Sequence, residues 1–202
     1  MFVPDDDAQL HTLEGVAAAL LLLGVIIYAM DATSLTPLTS STSNAHEESE
    51  LAVLGQDILN TLDYAEPGYS SKLKNDLLFW NGKEYLWDGT RYIENTNATY
   101  IQNNLSNNLT GLFISTLVKQ GIAHRVEVTF LRKNGNETEP SKPRVMVSAG
   151  VPSNNAVIVS RKMVFHDVPD SYVIEPGNPI VDISPESNLR NIVDVRLILW
   201  RT

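Results

Sequence analysis

Residues 13–30, LEGVAAALLLLGVIIYAM, form an apolar run whose only charged side chain is Glu14. A helix of about 18 residues is long enough to cross a hydrocarbon core of ~30 Å. The run has no polar face with the 3.6-residue period that is typical of an amphipathic surface helix. It therefore predicts a transmembrane or filament-core helix over residues 9–31. A helix buried in a globular core is the alternative.

The composition excludes several kinds of site. The chain has 202 residues and no cysteine, which excludes disulfides, thiolate catalysis and cysteine-ligated metal. Its formal net charge is −9, and eleven acids precede Lys72, the first basic residue. The other 13 acids and all 15 bases lie in residues 72–202, which carry +2. This distribution argues against nucleic acid as a partner.

The first eight residues, MFVPDDDA, lack the positively charged region of a secretory signal peptide. No small-residue cleavage site follows the apolar run, so the run is expected to stay in the mature protein as a single-pass anchor in the cell membrane. No Lys or Arg lies near either end of the run, so the positive-inside rule does not decide its orientation.

Glu14 requires an explanation, because a carboxylate one turn into hydrocarbon costs ~2.5 kcal/mol or more unless it is paired or neutral. One possibility is that Glu14 lies at the level of the lipid headgroups. The other is that it pairs with a positive group of a neighbouring subunit. Small residues in the same run would let neighbouring helices approach closely: Gly15, Ala17, Ala18, Ala19 and Gly24.

The segment after the anchor predicts a stalk. Nine of the thirteen residues in 32–44, ATSLTPLTSSTSN, are Ser, Thr or Pro, and Pro37 would kink or break a helix there. Residues 45–62 return to a helical period and place four apolar residues on one stripe, which is predicted to dock on a sheet: Leu51, Leu54, Ile58 and Leu62.

The remaining sequence predicts short helices followed by strands. Helical signals cover residues 72–80 and 100–118, and a hairpin around Asp88-Gly89 is indicated at residues 85–93. A period of two then marks strands at 125–130, 144–148, 156–165 and 192–200. The predicted fold class is α+β: a long N-terminal hydrophobic helix with a stalk, followed by an antiparallel sheet domain over residues 45–202.

The sequence lacks the motifs for metal binding, nucleophilic catalysis and phosphate binding that we considered. His46-Glu47-Glu48 lacks the second histidine of a helical zinc motif, and neither a serine elbow nor a phosphate loop is present. We therefore predict no catalytic residue, metal site or cofactor, and a protein that is not an enzyme. Four sequons are candidate N-glycosylation sites, at Asn97, Asn104, Asn108 and Asn136. Their clustering at 97–110 indicates a glycan-coated face outside the cell.

The N-terminus resembles that of a known class. Residues 8–15, AQLHTLEG, together with the apolar run, look like the start of archaeal type IV pilin-like proteins, in which a short leader is cut before a Gln and an early Glu precedes a hydrophobic helix. Residues 151–157, VPSNNAV, and 193–201, VDVRLILWR, are similar to an uncharacterised family of such archaeal proteins. Asp7 departs from the pattern, because leaders of this class usually carry a basic residue there.

The resemblance implies that residues 1–8 are a leader, cut by a prepilin peptidase between Ala8 and Gln9. Glu14 would then be the sixth residue of the mature chain and would neutralise the N-terminal amine of an adjacent subunit in a dry helical bundle. The implied fold is pilin-like, with residues 45–202 outside the cell.

The function implied is that of a structural subunit or minor pseudopilin of an archaeal type IV pilus-like surface filament or assembly. Its partners would be copies of itself or related pilin-like subunits, bound through the N-terminal helix. The alternative is a singly membrane-anchored envelope protein whose extracytoplasmic domain binds a protein partner or the surface layer.

Overall fold

The computed structural model describes residues 6–96, 103–135, 137–168 and 174–201, and within the first of these ranges the side chains of 6–14 and 26–44 are excepted. Three helices precede or flank the strands: α1 (Asp6–Asp63), α2 (Lys72–Leu78) and α3 (Asn108–Thr116), with a 3-10 turn at Val118–Gln120. The strands are β1 (Tyr85–Trp87), β2 (Tyr92–Glu94), β3 (Asn104–Leu105), β4 (Ile122–Asn134), β5 (Glu137–Pro140), β6 (Arg144–Ser148), β7 (Val157–His166) and β8 (Leu189–Arg201).

The chain divides into two compact units, Met1–Glu47 and Glu48–Thr202. In the first unit the described residues all belong to α1. The second unit contains the end of α1, both shorter helices and every strand. This second unit is called the domain below.

The predicted fold class is wrong in its N-terminal part. α1 runs without interruption to Asp63, so no stalk separates a hydrophobic helix at 9–31 from the domain. Within the part of the chain that is described, no helix has the length and apolarity that crossing a membrane requires. A proline inside a helix costs about 3 kcal/mol. Ending the helix at Pro37 and restarting it would instead leave two new ends, each with about four unpaired backbone groups.

In the described residues, the domain is built on one mixed sheet of eight strands, in the order β3-β2-β1-β6-β4-β8-β7, with β5 paired to the far end of β4. Its neighbouring strands are antiparallel except for β1 and β6, which are parallel. The prediction of an antiparallel sheet is therefore corrected to a mixed one. A tight hairpin forces antiparallel pairing, but β1 is reached from α2, and no turn fixes its direction against β6.

The local predictions in the domain are mostly confirmed. The hairpin at 85–93 pairs Trp87 with Tyr92, and α2, β6 and β8 lie where the periodicity placed them. The helix predicted at 100–118 is only partly correct, because Asn104–Leu105 is a strand and α3 begins at Asn108. Asn107 sets that start: its side chain accepts from the backbone N–H of Thr110 at 2.9 Å, which completes a capping box.

The core lies between one face of the sheet and the helices. On β8 the residues of that face are fully buried: Val193, Val195, Leu197 and Leu199. The predicted stripe of α1 faces the same core, with Leu51, Ile58 and Leu62 buried and Leu54 partly buried. Gly55 lies close against the sheet, since a Cβ there would come within 2.7 Å of Cγ2 of Val159 and 3.1 Å of Cδ1 of Leu199.

Candidate functional site

Residues 15–25 of α1, GVAAALLLLGV, form a segment whose side chains are all exposed and uncharged. We call it the apolar segment. Its large residues, from Val16 to Val25, are 58% to 74% exposed. Uncovered apolar surface costs roughly 25 cal/mol per Å², and a contiguous patch of it usually marks an interaction site. A Cβ added at Gly15 or Gly24 would meet nothing within 4 Å, so another backbone could approach there.

Three sequence-predicted residues lie just ahead of this segment. Ala8, Gln9 and Glu14 belong to α1, but their side chains lie outside the described part of the chain. Cleavage between Ala8 and Gln9, and the pairing of Glu14, therefore remain predictions.

Of the four sequons, Asn97 and Asn136 lie outside the described residues. Asn104 is exposed in β3, and Asn108 is the first residue of α3. The prediction that Asn104 and Asn108 lie on one side of a helix is wrong, because the cap at Asn107 starts α3 after the first of them. The structure therefore places these two asparagines in different elements.

Asp76 joins α2 to the start of α3. Its carboxylate accepts hydrogen bonds from the side-chain amide of Asn108 at 2.9 Å and from the backbone N–H of Leu109 at 2.8 Å. Burial raises the pKa of the Asp76 carboxyl, and these hydrogen bonds partly oppose the rise. A carboxylate at a helix N-terminus pairs donors that the helix itself leaves unpaired. Asp76 is thus a structural group, fully engaged in the fold.

His124 is a buried histidine, the side-chain type that most often acts in acid-base catalysis. Its ring is fully buried on β4 and lies 4.7 Å from the Phe113 ring, centroid to centroid. Nδ1 lies 3.3 Å from the Ile122 carbonyl oxygen, which can only accept, so Nδ1 carries the proton. Nε2 then accepts from the Tyr92 hydroxyl. Burial lowers the pKa of His124 to about 4, and with both nitrogens paired in the core this histidine is structural.

The face of the sheet opposite α1 is largely uncovered. We call it the open sheet face, and it consists of side chains from three adjacent strands: Ile158, Ser160, Lys162 and Val164 on β7, Ile192, Asp194 and Arg196 on β8, and Glu127 and Thr129 on β4. A groove of about 270 Å³ crosses it, with Lys162, Ile192 and Asp194 in its walls. At one end the face is covered, since Ala123, Ile198 and Trp200 form a small second core with Ala156.

The open sheet face was not among the sites predicted from sequence. Its signal is present in β8, where Asp194 and Arg196 alternate with buried valines and leucines. Such alternation identifies a face exposed to solvent, but it does not show that the face is a site. The folded chain shows a contact that the sequence does not: Arg196 Nε lies 3.3 Å from Asp194 Oδ2. Both residues line the groove.

A second groove, of about 390 Å³, lies between α2 and the end of β7. Lys74, Tyr69, His166 and Asp167 are in its walls. His166 and Asp167 are exposed at the strand end. Within the described ranges no group of three or more His, Asp or Glu could hold a metal ion.

Comparison with known proteins adds one assignment. No curated protein and no solved structure matches the chain. The family model of DUF7288, described as a family of unknown function, matches residues 7–199, so the match includes α1 as well as the sheet. The chain belongs to the DUF7288 family.

Proposed function

We propose that this protein is a structural subunit of a surface filament or filament-like assembly, and that its copies or related subunits pack through the apolar segment of α1. The observation that carries the proposal is the exposure of residues 15–25, in which every described side chain is uncharged and open. A helix that is apolar all round needs a covering on every side. Several copies of the same helix in a bundle supply such a covering.

The small residues of the segment support helix packing. Gly15 and Gly24 have open space beside them, and Ala17, Ala18 and Ala19 follow the first glycine. Small side chains allow helix backbones to approach closely and to gain van der Waals contact. Two buried titratable groups of the domain, Asp76 and His124, are engaged in its core.

The alternative is an envelope protein with a single membrane anchor, whose domain binds a protein partner or the surface layer outside the cell. The open sheet face favours this alternative, because an exposed face with Ile158 at 61% and Val164 at 44% exposure is typical of a contact surface. Both proposals place the domain at the cell surface. They differ in whether α1 meets other subunits or lipid.

Two valines of α1 provide a matched test. Val16 is 60% exposed in the apolar segment, and Val53 is 59% exposed near the domain end of the same helix. We expect Val16→Asp to abolish assembly in the native host, since a carboxylate would enter a dry helix bundle. Val53→Asp should assemble like the wild type. Equal assembly of the two variants, measured by sedimentation of detergent extracts, would contradict the proposal.

The N-terminus separates the filament from the lone anchor. A filament subunit processed by a prepilin peptidase begins at Gln9, whereas an anchor keeps residues 1–8. Mass spectrometry of the protein from its native host distinguishes the two. A mature chain that begins at Gln9 supports the filament subunit, and an intact leader in membrane-bound, unassembled protein supports the anchored binding module.

A further inference from the structure

The open sheet face has a pattern that is nearly the same in both directions along its strands. Its central rows are charged: Ser160 pairs across the strands with Arg196, and Lys162 pairs with Asp194. On β7 and β8 its outer rows are apolar, with Ile158 beside one charged row and the cross-strand pair Val164 and Ile192 beside the other. On β4 the first of these outer rows contains Arg125, which pairs with Glu127. Ile158, Val164 and Ile192 are exposed.

The hydrogen-bonding groups of Arg196 and Asp194 are only partly used within the chain. Arg196 donates from Nε to Oδ2 of Asp194, and among the described residues no partner is found for its other guanidinium nitrogens. Oδ1 of Asp194 likewise has no hydrogen-bond partner within the described part of the chain, although it is buried at the groove. A buried oxygen without a donor is unfavourable, and a carboxylate turned toward the groove would accept from a guanidinium placed there.

A second copy of the same face meets both requirements. If two such faces stack with their strand directions reversed, Arg196 of each copy lies opposite Asp194 of the other. The same rotation places Ile158 of one copy opposite Val164 of the other. A contact in which residue i meets j and j meets i is isologous, as in the common two-fold dimers. Face-to-face sheets pack about 10 Å apart, which leaves room for one layer of side chains from each.

We infer that the open sheet face binds the same face of a second copy of this chain, with Arg196 of each copy paired to Asp194 of the other. The choice of occupant rests on charge complementarity. A strongly acidic or basic partner would suit a face of one sign, but this face carries both signs in adjacent rows. The domain contains 15 bases and 18 acids, a formal charge of only −3, so two domains repel each other weakly. This contact is independent of the helix packing proposed for α1.

The absence of cysteine from the chain allows a specific test. Ser160 is exposed on the open sheet face, and Thr90 is exposed in the turn between β1 and β2. Ser160→Cys in the full-length protein should cross-link into dimers with a short bismaleimide, because the stacked sheets would be about 10 Å apart. Thr90→Cys is the control, since random collisions and any association through α1 act on both positions.

Charge reversal then tests the pairing itself. With the cysteine at position 160, Arg196→Asp should lower the dimer yield at least about tenfold, because like charges meet across the interface. Asp194→Arg should do the same. An equimolar mixture of the two variants should restore cross-linking, since an acidic face then meets a basic one. Rescue by mixing cannot come from the contact within one chain, and it also shows that both variants fold.

The proposal is overturned if the cysteine at position 160 cross-links no better than that at position 90, or if the mixture stays as low as the separate variants. Protection of the cysteine at position 160 from maleimide in native cells, without dimer formation, would place a different protein on the face and would also overturn it. Val16→Asp, which tests the helix packing, should leave the cross-linking of Ser160→Cys unchanged. The two proposals can therefore fail separately.

Discussion

Nδ2 of Asn108, the first residue of α3, donates a 2.9 Å hydrogen bond to Oδ1 of Asp76 in α2. The nitrogen that would carry a glycan at this sequon is therefore held against a buried carboxylate. Asn104, four residues earlier, is exposed in β3. The fold thus distinguishes two sequons that look equivalent in the sequence.

We expect a glycan on Asn104 and none on Asn108, because a sugar on Nδ2 of Asn108 would disturb the bond to Asp76. Intact-mass measurement of protein from the native host should show that Asn104→Gln removes one glycan, whereas Asn108→Gln leaves the mass of the modification unchanged. Loss of a glycan from Asn108→Gln would contradict the prediction. An unmodified wild-type mass, together with protection of the domain from protease in whole cells, would place the domain in the cytoplasm.

The buried histidine gives the domain an acid-sensitive stability. The pKa of His124 falls from 6.5 to about 4 on burial, so between these values the unfolded chain binds a proton that the folded chain does not. Stability therefore rises with pH across this window and is lost as the pH falls from about 6.5 to about 4, by roughly 3 kcal/mol at 1.36 kcal/mol for each pKa unit.

His124→Gln should remove this contribution while it leaves an amide to pair with Tyr92. Chemical denaturation at pH 7, 5.5 and 4.5 measures the slope, and His166→Gln, at an exposed position, is the matched control. We expect a flatter profile for the first variant and the wild-type profile for the second. Identical profiles for wild type and His124→Gln would assign the acid sensitivity to other groups.

Two glycines in helices should respond oppositely to the same substitution. Gly55→Ala places a Cβ 2.7 Å from Val159, whose branched side chain is restricted in χ1, and overpacking of this kind typically costs about 1–3 kcal/mol. Gly111→Ala, in α3, meets nothing within 4 Å and should stabilise by about 0.5–1 kcal/mol through helix propensity. Thermal unfolding should show a lower Tm for the first variant and a higher Tm for the second. A higher Tm for Gly55→Ala would mean that α1 packs less closely on the sheet than it does here.

The strands of the domain could be predicted because alternation is a local signal. β8 shows it over residues 192–197, where Val193, Val195 and Leu197 are buried and the residues between them are exposed or half-buried. The continuity of α1 through residues 32–44 could not be predicted from Pro37 and the Ser/Thr content. The composition of residues 32–44 indicates only their local helix propensity. Breaking the helix there would add two helix ends with unpaired backbone groups, and that cost depends on the helices on both sides.

The candidate site likewise has features with a local sequence signal and features that depend on long-range contacts. The run of uncharged residues at 15–25 is visible to hydropathy in any window, but its role as a site stays a prediction. The bonds from Asn108 to Asp76 and from Tyr92 to His124 each join residues 32 apart in sequence, and no spacing rule connects them. The parallel pairing of β1 with β6 is equally nonlocal. Long-range pairing determined both the buried polar groups and the open sheet face.

The filament proposal depends most on Glu14. If it pairs with the N-terminal amine of a neighbouring subunit in a desolvated bundle, Glu14→Gln keeps the shape of the side chain and removes its charge. The amine then loses its partner, at a cost of ~1–3 kcal/mol per contact. In a lone anchor, Glu14 at the headgroups would tolerate the change, because an amide is easier to insert into a membrane than a carboxylate.

We therefore expect Glu14→Gln to reach the membrane in normal amount, to assemble poorly, and to co-purify weakly with other subunits. Leu13→Ile, which keeps the charge and the apolar volume next to it, is the control and should assemble normally. Normal assembly of Glu14→Gln, in a protein that still carries residues 1–8, would exclude the paired bundle and leave the anchored binding module.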